Sequence, residues 1–183
     1  MARVKRNIIT EGLSGKLSDL VVFKQVKGKT LVTKAPKKRT VPLSAKQQVT
    51  VNKFALAMQY AKKALSDEHT RSEYQAATAG GQRAVNIAIA DYFQAPVIHA
   101  VFLSPPDSRL LYIKATDNFK VAKVEVFVQY SDGETPEKGA AILTSNDQWI
   151  YHLKSPQLLE QGSQILVMAF DLPGNKAIHK LVL

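Results

Sequence analysis

Lys24, Lys27, Lys29, Lys34, Lys37, Lys38 and Arg39 set seven permanent positive charges within sixteen residues. Side chains of this type and density bind phosphate or carboxylate groups and release condensed counterions. They are therefore the candidate contacts for nucleic acid or for an anionic protein partner. A solvated connector has the same composition, so the charge alone does not choose among these readings. No zinc-finger, helix-turn-helix or aromatic RNA-binding pattern accompanies it. Phe23 is the sole aromatic residue before Phe54, too few for a base-stacking platform. Any nucleic-acid binding is expected to be nonspecific and steeply salt-dependent.

Other residues with chemical potential are sparse. Glu68 or Glu73 beside His69 could supply a base on a helix, although such pairs are ordinary on solvated surfaces. Gly80-Gly81 with Arg83 could hold an anion at a helix start, but helix termination explains the glycines equally well. There is no cysteine, which removes disulfides and thiolate chemistry, and His69, His99, His152 and His179 stand far apart. No GxSxG, HExxH or P-loop pattern occurs. The chain is expected to be non-enzymatic, without cofactor or metal site.

The elements that must carry these residues follow from spacing. The charge is concentrated at the front: residues 1–63 hold fifteen Lys or Arg against two acids, a net +13. Residues 64–95 and 96–183 net −2 and −1. Two β-branched runs, 20–26 and 29–34, flank Lys27-Gly28 and predict a hairpin, which is marginal alone and must dock on something. Residues 35–42, bracketed by Pro36 and Pro42, read as an extended basic linker.

Three helices are expected next. The first runs from an N-cap at Ser44 to about Leu65, with Val51, Phe54, Ala55, Met58, Ala61 and Leu65 on one face and Phe54 and Met58 in the core. A second, capped by Ser66, ends at Gly80-Gly81. A third spans 82–93 with a stripe of Val85, Ala88, Ile89 and Tyr92, stopped by Pro96.

Beyond Pro96 the period changes to two. Seven short runs, at 97–103, 109–116, 121–130, 139–144, 148–153, 164–170 and 177–183, are separated by turn clusters, as in a sandwich. Val124, Val126 and Val128 should face opposite to Lys123, Glu125 and Phe127, and Trp149 should be core. The fold class is therefore α+β: an N-terminal β-hairpin with about three α-helices (1–95), then a seven-stranded Ig-like β-sandwich (96–183).

Residues 115–126, Ala-Thr-Asp-Asn-Phe-Lys-Val-Ala-Lys-Val-Glu-Val, and residues 169–176, Ala-Phe-Asp-Leu-Pro-Gly-Asn-Lys, resemble bacterial Ig-like and fibronectin-type modules. The resemblance implies a fold rather than an activity. Some such modules hold calcium between loop carboxylates, which makes Asp117 and Asp171 candidates. Calcium needs six to eight oxygens, so turn formation is their simpler role. Residues 11–23 and 28–34 look like uncharacterised bacterial and prophage-associated proteins.

Together these features lead to an expected structural or adaptor protein. It would dock into a larger assembly, with itself or another protein, through the basic front and display the Ig-like module. Nonspecific nucleic-acid binding through residues 16–63 is the alternative. No membrane-spanning run and no recognisable signal peptide is present, so a cytoplasmic or particle-associated location is expected.

Overall fold

The computed structural model describes residues 2–3, 8–26, 28–38, 40–104, 109–131, 133 and 136–183. It is an α+β protein with three α-helices and three four-stranded sheets. The chain separates into two compact units, residues 1–48 and 49–183. The division falls well before the expected 95/96 boundary and groups the helices with the β-rich half. Its physical basis is contact: side chains of the second and third helices pack against Phe119 and Leu172.

The first unit contains β1 (Ala2–Arg3), β2 (Gly15–Leu17), β3 (Val21–Val26) and β4 (Lys29–Lys34), in the antiparallel order β1-β4-β3-β2. The expected hairpin is its centre, with Val21 opposite Lys34 and Val26 opposite Lys29. Gly28 takes φ +70°, a conformation glycine adopts without steric cost. Among the described residues of this unit only Thr30 and Ala35 are buried.

Helix α1 (Ala45–Ala64) begins with reciprocal hydrogen bonds. Gln47 N–H donates to Ser44 Oγ at 3.3 Å and Ser44 N–H donates to Gln47 Oε1 at 3.1 Å, a capping box. Its buried positions are Ala57 and Ala61. Phe54 is 51% exposed and does not join the core, contrary to expectation, and Met58 is only half-buried. The reason is that only the later turns meet neighbours: Tyr60, Ala61, Ala64 and Leu65 pack in a cluster with Tyr74 and Ala88.

Helix α2 (Glu68–Ala76) is capped one residue later than expected. Thr70 N–H donates to Asp67 Oδ2 at 2.8 Å, while Ser66 Oγ instead donates to the Lys63 carbonyl. It stops at Ala76, so Gly80 and Gly81 form the following turn at positive φ rather than the cap. Helix α3 (Ala84–Phe93) buries Ala88, as its stripe requires, and also Asp91.

Residues 97–183 form β5 (Val97–Leu103), β6 (Leu110–Thr116), β7 (Val121–Gln129), β8 (Glu137–Ala140), β9 (Ile142–Leu143), β10 (Trp149–His152), β11 (Gln164–Asp171) and β12 (Lys176–Val182). The run expected at 139–144 is divided between β8 and β9, which join different sheets, so eight described strands replace the expected seven. The sheets are ordered β5-β6-β10-β9 and β12-β11-β7-β8. They share one core that includes Leu111, Ile113, Val124, Val126, Ile165 and Val167. Each of these side chains contributes about 1.5–3 kcal/mol when removed from water. Strict alternation along β7 and β11 places every second residue in that core, and Trp149 joins it.

Candidate functional site

The seven basic residues are not gathered into one site. Register puts Lys24 opposite Leu31 and Lys29 opposite Val26, so Lys24 and Lys29 share one face of the front sheet. Lys34, opposite Val21, lies on the other face with Leu17, Phe23 and Val32. Lys37 and Lys38 are exposed beyond β4, and Lys27 and Arg39 lie outside the described residues. The candidate base pair on α2 is also diverted: Glu73 Oε1 binds Lys120 Nζ at 2.6 Å, leaving His69 at 3.6 Å on the exposed side.

Three aspartates meet where α3 covers one end of the two sheets in the second unit. The inward row of β6, Leu111, Ile113 and Ala115, continues by parity to Asp117. The inward row of β11, Ile165, Val167 and Ala169, continues to Asp171. Both acids therefore stand one step past an apolar row. A register shift between Phe170 and Asp171, which sets Asp171 opposite Val121, falls at the same end. Asp91 reaches the spot from α3, one turn beyond the buried Ala88. Carboxylate oxygens of Asp91, Asp117 and Asp171 all lie within 4.8 Å of one another.

Each acid has a defined set of partners. Asp171 Oδ1 accepts from Gly174 N at 2.8 Å and Asn175 N at 2.6 Å, and its Oδ2 accepts from Asn175 Nδ2 at 2.7 Å. Asp117 Oδ2 accepts from the Phe119 and Lys120 amides, both at 3.1 Å. These are the turn-forming bonds expected of the two residues. Asp91 Oδ2 accepts from Tyr74 OH at 2.5 Å, and Tyr74 OH lies 2.8 Å from Tyr60 OH. Asn175 Nδ2 also donates to the Tyr92 and Gln94 carbonyls at 3.2 Å, tying the end of α3 to the turn after β11. Two oxygens, Asp91 Oδ1 and Asp117 Oδ1, are buried without any hydrogen-bond partner.

The electrostatics are unbalanced. No ion pair among the described residues involves the three aspartates, and the nearby Lys120 is engaged by Glu73. At 4.8 Å two full negative charges repel by about 3.5 kcal/mol at an effective dielectric constant near 20. Three such pairs approach the stability of an entire domain. Burial, then the neighbouring Asp117 charge and a hydrogen bond shared with the Asp117 side chain when protonated, then the Asp171 charge, raise the Asp91 carboxyl to about 7 against the opposing Tyr74 hydrogen bond. Asp171 is raised as well, chiefly by burial. Burial likewise holds the Tyr60 hydroxyl up at about 12. The arrangement can take up a proton or a cation. Asp117 also lines an open cleft of about 550 Å³ with Lys120, Asp147 and Trp149, whereas Asp91 and Asp171 do not line it.

Sequence reasoning raised Asp117 and Asp171 and missed Asp91. The available signal was its i+3 spacing from Ala88 on the apolar stripe of α3, an acid where the pattern requires a core residue.

No helix among the described residues is long and apolar enough to cross a membrane. No protein-family model matches this chain, and no curated protein matches it.

Proposed function

We propose that this is a non-enzymatic structural or adaptor protein, in which the basic front docks onto another protein chain and the β-rich half is an Ig-like module for display. The observation that carries this reading is the poverty of the front sheet's own core. Four paired strands in which Thr30 is the one buried residue among those described, with Ala35 buried just beyond β4, are marginal by themselves. Leu17, 61% exposed, shares its face with the half-buried Val21, Phe23 and Val32 and with Lys34, a largely apolar surface edged by a cation that a partner can cover. The paired sheets, their shared core and the residues of the 115–126 and 169–176 segments support the Ig-like assignment of the display half.

Light scattering on the intact chain tests the docking role. A second copy on the front sheet gives a mass that is a multiple of 20.2 kDa, and Leu17→Glu shifts it to the monomer. A foreign partner gives a stoichiometric complex on co-purification that Leu17→Glu abolishes. A monomer that captures nothing, or an assembly indifferent to Leu17→Glu, defeats the proposal.

The alternative, nonspecific nucleic-acid binding, rests on the net +13 of residues 1–63. Nucleic-acid titrations across a salt series distinguish it from docking on protein.

A further inference from the structure

From the two orphaned oxygens and the convergence of three acids, we infer that Asp91, Asp117 and Asp171 bind a divalent cation of calcium's size, which fastens α3 to the ends of β6 and β11. This inference is independent of how the front sheet docks.

Acidic residues gather on many surfaces without holding an ion, but this group differs in one respect. Asp91 is fully buried, and its Oδ1 has no hydrogen-bond partner. Asp117 likewise leaves Oδ1 buried and unpaired. Buried polar atoms are almost always satisfied, so two orphaned acceptors side by side mark the place of a missing positive group. Every other acceptor in the cluster is used. The turn amides, the Asn175 side chain and Tyr74 hold the aspartates in place through those other oxygens.

The chemistry selects the ligand class. All the candidate donors are carboxylate oxygens, with no imidazole or thiolate among them, which suits a hard cation. Calcium binds oxygen at about 2.3–2.6 Å, so two oxygens sharing it stand at most roughly 5.2 Å apart, and the 4.8 Å bound on the cluster is compatible with that. Magnesium is ordinarily held by one or two carboxylates and keeps most of its waters, whereas a set of three protein carboxylates suits calcium. Of the three acids, Asp117 lies nearest to solvent, at the edge of the cleft it helps to line.

The competing occupant is a proton shared between Asp91 and Asp117. Thermal unfolding of the chelator-stripped full-length protein, with and without added CaCl₂, separates the two. A cation site gives a saturable rise of roughly 5–10 °C at a hundredfold excess over Kd, with one calcium per chain by calorimetry. Asp117→Asn and Asp91→Asn abolish that rise. Asp147→Asn, which changes an acid of the same cleft outside the cluster, retains it. A wild-type melting point indifferent to calcium overturns the inference in favour of the proton, as does a calcium response that survives in Asp117→Asn.

Should neither cluster variant fold, terbium luminescence on the wild-type chain decides the matter. Tyr74, hydrogen-bonded to Asp91, is placed to sensitise the emission. Emission saturating at one terbium per chain and displaced by calcium supports the site, and its absence overturns it.

Discussion

Glu137 and Asp91 are both buried acids, and their surroundings give them different consequences. Glu137 accepts from Tyr130 OH, from Tyr151 OH at 2.6 Å and from the Lys154 amide at 3.0 Å. Burial pushes its carboxyl up, but the hydrogen bonds from Tyr130, Tyr151 and the Lys154 and Ser155 amides outweigh that effect and hold it below its ordinary 4.5. It is a satisfied structural group, supported by Gly139, where an added Cβ would meet the Tyr151 ring at 2.6 Å. Because the folded-state value is depressed, the stability it confers is fully present above about pH 4.5 and is lost as pH falls through the lower folded value. Glu137→Gln is expected to cost about 1–3 kcal/mol at pH 7, since the amide cannot accept every one of these bonds. Denaturant melts should show the wild-type advantage shrinking at pH 3, and an advantage constant with pH would contradict this account. Asp91, with one oxygen unpaired, has no comparable set of donors, so its charge must be met by something else.

Among the elements, α1 shows how packing overrides a legible pattern. Its apolar residues are spread around the helix, so periodicity alone offered a face through Phe54, whereas the neighbours cover a face through Ala57 and Ala61. Both are fully buried, and Ala61 packs in the cluster with Tyr74 and Ala88. Ala61→Leu should therefore destabilise by about 1–3 kcal/mol through overpacking. Phe54→Ala should cost under ~1 kcal/mol, because the ring is already half in water. Thermal denaturation of the two variants measures this directly, and the reverse order would show the helix buried on its Phe54 side. In the front sheet the alternation of strands makes a parallel distinction. If nucleic acid binds, the Lys24→Glu, Lys29→Glu pair should lower the salt slope by about 1.8, from ~0.9 per phosphate contact, whereas Lys34→Glu on the opposite face should leave that face's contacts intact. Equal effects would mean that the charge acts diffusely, without regard to face.

Across the whole molecule, net charge and packed core belong to different stretches of chain. Residues 1–63 hold the positive excess, while the large buried cluster is built from residues 111–169. Much of this was visible in sequence. The period of two located the strands after Pro96 and the inward faces of β7 and β11, since alternation is a local property of an extended backbone. Ser44 announced the start of α1 for the same reason: a cap is made by residues four positions wide, and the structure adds Gln47 to it. The α+β class, most strand positions after Pro96 and the charge distribution were therefore determined by local sequence. Three things depended on tertiary structure. One was the unit boundary at 48/49, and another was the exposed state of Phe54. The third was the meeting of Asp91, Asp117 and Asp171, separated by 26 and 54 residues along the chain. No spacing rule joins a helix residue to the ends of two strands in different sheets. Only the docking of α3, held by Asn175, and of α2, whose Tyr74 stacks on Phe119 and bonds Asp91, brings their carboxylates within reach of one ion.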